Sequence, residues 1–298
     1  LFEIPRFQPE LKRYQDNPLA KATFLSELSE SIKRIRSGMY TMFDTYHWQN
    51  PGDKVETGEH HLTFMYNALK NDGVNPIPVV GYDRWDDDEY RLALRSISQT
   101  HDGIFSLRLE RYALEDVKDP QHFHERLSEI LSYLEINPSS CHVILDFEDL
   151  SVMPIVEIFD SFDSLFSEIT AYGFLSYSVA GCSLPSSIDK VIKDRDSSGT
   201  VLRREMLLWK NARKQHPNYK IHFGDYGVQN GPELRLAAQG CPQLFRLDNP
   251  ACTRLGQRLF FFPVEVGFVV VQEIQIVHRR SAVVHFLRAG HGLLVSEG

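Results

Sequence analysis

Two hydrophobic periods take turns along this chain. Residues 141–150, CHVILDFEDL, follow period two: as a strand they place Val143, Leu145 and Phe147 on one face and Ile144, Asp146 and Glu148 on the other. The first face is apolar, and the second turns acidic toward its end. Residues 103–111, GIFSLRLER, repeat the arrangement, with Phe105, Leu107 and Leu109 opposite Ile104, Ser106, Arg108 and Glu110. A face carrying serine, arginine and glutamate is not covered by apolar partners on both sides, and it is tolerated where its charges are paired. Shorter strand patterns occupy 1–5, 39–47, 76–82, 173–182, 220–227 and 244–247. Between them lie helical stripes. In 23–36, Phe24, Leu25, Leu28, Ile32 and Ile35 share one side and Gly38 ends the run. Further helices are expected over 61–69, from WDDDEY through Leu94, and over 122–134, 155–172 and 202–213. The polar stretch through Ser198 and Gly199 reads as a loop. Strands alternating with helices predict an α/β protein with a parallel sheet and a polar site at its strand ends.

Two acidic or histidine-rich runs have simple explanations. The aspartates of WDDDEY suit the first turn of a helix, where the dipole favours negative charge. In HFHE (122–125) the histidines are two apart and diverge on a helix, whereas paired metal ligands usually sit four apart.

Composition narrows the class. Over 298 residues, 42% are hydrophobic and 24% charged, as expected of a globular protein with a core. The net charge of -8 argues against general nucleic-acid binding. Cys141, Cys182, Cys241 and Cys252 are far apart and form no CxxC or zinc spacing, so they read as reduced thiols of a cytoplasmic protein. The opening LFEIPRF has no signal-peptide pattern, and the first residue is Leu1, not methionine, which suggests a longer reading frame. The most apolar run, 259–271, contains Pro263 and Glu265 and falls short of the roughly 20 apolar residues a membrane span needs. No membrane partner is expected. Beyond residue 249 the composition shifts: no lysine follows Lys220 and no aspartate follows Asp248. The expected organisation is therefore a domain over 1–249 and a divergent, β-rich tail over 250–298.

Six short pieces, in this order, resemble the phage-type beta protein family of phage and bacterial genomes. They are LFEIP, SLRL ending at Leu109, VILD ending at Asp146, AGCSLP (180–185), RREMLLW in the helix near Arg203, and FGDYG (223–227). The resemblance runs to about residue 247 and leaves the tail outside. It implies a TIM-barrel-like (β/α) barrel whose first strand-helix unit lies upstream of Leu1 or is truncated. The family's association with phages implies a role in conflict with viruses.

In a parallel sheet, Glu3, Asp44, Arg108, Asp146, Glu148 and Asp225 all fall late in their strands and gather at one mouth. Asp146, Asp225 and Glu3 are the candidate acids and bases, or oxygen ligands for a divalent cation. Arg108 is the candidate anion clamp. Asp44, Glu205, Tyr226 and the Gly181–Ser183 backbone are candidate ligand contacts, the last through N–H groups that suit an anion. The expected function is a hydrolase, or phosphodiester-type enzyme, acting on an anionic, phosphate-bearing substrate. The alternative is a sensor that binds a small anion or a phage or host protein without turning it over. A purely structural reading, in which Arg108 pairs with Asp146 or Glu3, stands beside both. No zinc, nucleotide-cofactor or haem motif is present, nor a nucleophile elbow or P-loop.

Overall fold

A computed structural model describes residues 1–48, 50, 53–184, 198–224, 273–278, 283–289 and 292–294. Within them strands and helices alternate: β1 (Phe2–Glu3), α1 (Ala20–Arg36), β2 (Tyr40–Asp44), α2 (His61–Asn71), β3 (Asn75–Gly81), α3 (Asp88–Ser98) and β4 (Phe105–Leu109). The series continues with α4 (Arg111–Asp116), α5 (Pro120–Leu134), β5 (Cys141–Asp149), α6 (Ile155–Thr170), β6 (Ser176–Cys182), β7 (Ser198–Leu202), α7 (Arg204–Gln215) and β8 (Ile221–Phe223). β9 (Glu273–His278), β10 (Val283–Ala289) and β11 (Gly292–Leu294) follow. A seven-stranded sheet has the order β1-β2-β3-β4-β5-β6-β8, and its pairs from β1 to β5 are parallel. The α/β alternation and the parallel sheet are those expected from the periodicity.

The chain divides into two compact units, Leu1–Leu145 with Ser164–Tyr177, and Asp146–Asp163 with Ser178–Gly298. In the first unit the helices form where caps and apolar stripes coincide. Asp87 accepts a hydrogen bond from the Tyr90 N–H at 2.7 Å and opens α3, with Asp88 and Glu89 in its first turn. Asp119 and Pro120 open α5 in the same manner. Helix α1 has no side-chain cap of its own at Leu19. Its free N–H groups, on Lys21 and Ala22, instead donate to the Glu56 carboxylate at 2.7 and 3.1 Å. The stripe Phe24, Leu25, Leu28 and Ile32 is buried as expected, and α1 packs on α2, which packs on β3 and α3.

Two elements differ from the sequence reading. The strand over 103–111 stops at Leu109, and Glu110 stands between it and the short helix α4, which begins at Arg111. The stretch through Ser198 and Gly199, read as loop, and Leu202, read as the start of a helix, belong to β7, which pairs antiparallel with β9 in the four-stranded sheet β11-β10-β9-β7 of the second unit. Its partner comes from the far end of the chain, so no local pattern announces the pairing. Cys141 and Cys182 are buried free thiols, and Cys241 and Cys252 lie outside the described residues. Among the described residues no helix is long and apolar enough to cross a membrane.

Candidate functional site

Parallel register brings the first charges together. Glu3 closes β1 and Asp44 closes β2, and they are register partners. Arg108 sits next to last in β4, opposite Gly81, the last residue of β3. All five residues of β4 are buried, so the face carrying Ser106 and Arg108 turns inward with its charge. A buried guanidinium must be paired, and Arg108 is: its Nη1 donates to Glu3 Oε1 and to Asp44 Oδ2, both at 2.8 Å.

A second arginine completes the network. Arg84 Nη1 donates to Asp44 Oδ1 at 2.7 Å and its Nε to Asp83 Oδ1 at 3.1 Å. Glu110 Oε1 accepts from the Asp83 backbone N–H at 2.6 Å. The Tyr46 ring lies against both arginines, with the guanidinium carbons of Arg108 and Arg84 at 4.3 and 5.6 Å from its centroid. Gly81 makes room for this: a Cβ there would lie 2.0 Å from Arg84 Nη2. Tyr90 holds the same turn, accepting from the Gly81 N–H and donating to the Val79 carbonyl, and burial pushes its phenol up to about 12.

Electrostatics follow from the pairing. Burial alone would raise the Asp44 pKa, but the charges and hydrogen bonds of Arg84 and Arg108 outweigh it and hold the carboxyl below its usual value. Burial likewise pulls Arg84 downward, and Asp44 and Asp83 reverse the sign and keep it charged. Asp44 is thus an anion at any ordinary pH, unsuited to giving up a proton.

Tyr46, Asp83 and His47 are the part-exposed members of the network. His47, on the turn after β2, hydrogen-bonds through Nε2 to Glu3 Oε2 at 2.9 Å; its side chain is 29% exposed and that of Glu3 is 0%. An ionised carboxylate only accepts, so the ring carries its hydrogen on Nε2 and, when neutral, leaves Nδ1 as an acceptor. This is an imidazole oriented by a carboxylate, with its second nitrogen left to face outward from that bond.

The structure therefore gathers Glu3, Asp44 and Arg108 from the candidate list and adds Arg84, Asp83, Glu110, Tyr46 and His47. The strand pattern over 39–47 ends on His47 without marking it as a site residue, and Asp83 and Arg84 fall between the strand over 76–82 and the WDDDEY run, with no role read for them. An arginine three residues beyond a strand-ending glycine was the one available signal.

The remaining candidates fall in the second unit. Asp146 is buried, and its Oδ1 accepts from the Glu148 N–H at 3.0 Å, with Glu148 at φ 53°. Ser183 Oγ donates to Glu205 Oε2 at 2.5 Å and accepts from the Arg204 N–H at 2.9 Å, so it caps the start of α7. Glu205 Oε1 accepts from Arg203 Nε at 2.6 Å. The space a side chain on Gly181 would fill is taken by Leu150, whose Cδ1 would lie 2.8 Å from a Cβ. Asp225 and Tyr226 lie outside the described residues. Among the described residues no group of three or more His, Cys, Asp or Glu side chains could hold a metal ion, and the Glu3 and Asp44 oxygens that would serve a divalent cation are engaged by the arginines and His47.

No curated protein matches the chain. A sequence model of the family described as Beta protein matches residues 1–250, which is most of its length, and the chain belongs to that family.

Proposed function

We propose that this chain is a hydrolase-type protein of phage-related antiviral defence, working in the cytoplasm, with His47 as the general base of its strand-end site. The observation that carries the reading is the 2.9 Å bond between the part-exposed His47 ring and the buried Glu3 carboxylate. Arg108 grips the other oxygen of that carboxylate, so the imidazole is oriented by a group that cannot swing away. His47 Nδ1 would accept a proton from water as it attacks the substrate, and Glu3 would stabilise the resulting imidazolium.

The proposed substrate is phosphate-bearing, with its reacting bond at His47 and its charge outside the network. Within the network the carboxylates of Glu3, Asp44, Asp83 and Glu110 outnumber the guanidinium groups of Arg84 and Arg108, so an anion could bind there only by displacing one of them. The family resemblance and the parallel α/β alternation support a TIM-barrel-like (β/α) barrel as the frame.

The second reading is a binding or sensor module without turnover. Full engagement of Asp44 by two arginines favours it, because a saturated network resists exchange. Bis(p-nitrophenyl) phosphate and p-nitrophenyl phosphate distinguish the two. Catalysis requires that the native chain hydrolyse one of them and that His47→Gln lose about 100-fold in rate with an unchanged melting temperature. Hydrolysis that survives His47→Gln refutes the assignment, and stabilisation by these compounds without product supports the sensor.

A further inference from the structure

The HFHE run, explained above as a diverging pair, contains a second constellation far from His47 in sequence. His122 Nε2 lies 3.6 Å from Asp116 on the preceding helix, whereas His124 turns toward the C-terminal end of α6. There its Nε2 is 2.8 Å from Glu168 Oε2 and its Nδ1 is 2.8 Å from the Tyr172 hydroxyl. Proton placement is dictated by the partners: the Glu168 carboxylate only accepts, so the neutral ring carries its hydrogen on Nε2, and Nδ1 must accept from the Tyr172 O–H. The order carboxylate, imidazole, hydroxyl is that of an activated nucleophile, with the base oriented by a third group.

Tyr172 is also held in place. Its ring stacks with that of His124, at 5.7 Å and 27°, and with that of Phe174, at 5.7 Å and 23°. The turn after α6 that carries it is closed by Gly173 at φ 69°. The His124 and Glu168 side chains are 36% and 32% exposed, and Tyr172 is half-buried beside them, so the constellation lies at the surface of the fold.

We propose that Glu168, His124 and Tyr172 form an acyl-accepting site in which the Tyr172 phenol is the nucleophile toward activated carboxylic esters. In the step, Tyr172 Oη bonds to the ester carbonyl carbon while its proton passes to His124 Nδ1. The bond from that carbon to the leaving alkoxide or phenoxide breaks, the leaving group takes the proton, and an O-acyl tyrosine remains. Nothing is oxidised or reduced, and no co-reactant is needed.

The test is brief exposure of the whole chain to p-nitrophenyl acetate, followed by peptide mass mapping of every acetylated residue. The expected result is acetylation of Tyr172 about 100-fold faster than of Tyr40 and Tyr112, which are more open at 60% and 62% exposure. His124→Gln and Glu168→Gln should bring Tyr172 down to the rate of those two tyrosines. Labelling of Tyr172 no faster than Tyr40 and Tyr112 overturns the proposal, and this comparison within the native chain needs no variant to fold. Acetyl found on the His124 imidazole instead of the phenol also overturns it.

Discussion

A single nitrogen of Arg108, Nη1, holds Glu3 and Asp44 together at 2.8 Å each, across sequence separations of 105 and 64 residues. Glu3, Asp44 and Arg108 are all at most 1% exposed. Such a link stabilises the fold less than it penalises its own rupture, because three charges have already been taken out of water.

Arg108→Met should therefore destabilise the protein by about 3–5 kcal/mol, measured by urea unfolding near neutral pH. The shape of the side chain is largely kept, and the loss comes from the carboxylates left in a dry site. Adding Glu3→Gln and Asp44→Asn to Arg108→Met should recover part of the stability. A triple variant no more stable than the single one would show that the cost lies in packing and not in charge.

Gly81→Ala should disturb the network without touching a charged residue. The added methyl would lie 2.0 Å from Arg84 Nη2 and 2.3 Å from Nε, so the guanidinium must leave its seat between Asp44 and Asp83. An overpacking cost of about 1–3 kcal/mol is expected. Since Arg84 is one of the two cations lowering the Asp44 pKa, NMR titration of that carboxyl should find it raised toward its usual value. An unchanged Asp44 titration would mean that the arginine tolerates the methyl.

His61 should make stability pH-dependent on the acid side. Its ring is buried and stacks on Trp48 at 4.6 Å. Burial, with a smaller contribution from His60, pulls its pKa from 6.5 down to about 3. The unfolded chain then binds a proton below pH 6.5 that the folded chain refuses. Stability from this residue is complete above pH 6.5 and declines as the pH falls toward 3, by about 2 kcal/mol between pH 6.5 and 5. His61→Gln should flatten the slope of unfolding free energy over that interval, whatever it does to stability at pH 7. A slope identical to that of the native chain would place the acid sensitivity elsewhere.

Much of the fold was legible because it is local. The acidic first turn of α3, the stripe of α1 and the alternation in β4 act over a few residues, and each is readable from its neighbours. The site was half legible for the same reason. Alternation placed Arg108 on a charged face, and strand position brought Glu3 and Asp44 to the same end of a parallel sheet. The role of His47 was not legible, since it depends on a turn folding back over β1. Nor was the cap on α1, which Glu56 supplies from 35 residues away.

By itself the sequence determined the α/β class, the alternation of strands and helices through β6, the family and the charged strand ends, because hydrophobic period and first-turn chemistry operate within one turn or one strand. Tertiary structure alone decided that Arg108 Nη1 joins Glu3 to Asp44, that Gly81 seats Arg84, and that His47 reaches the buried Glu3 carboxylate from a part-exposed position. Those choices are made by burial, which forces each charge to find a partner among groups that only the folded chain brings within 3 Å.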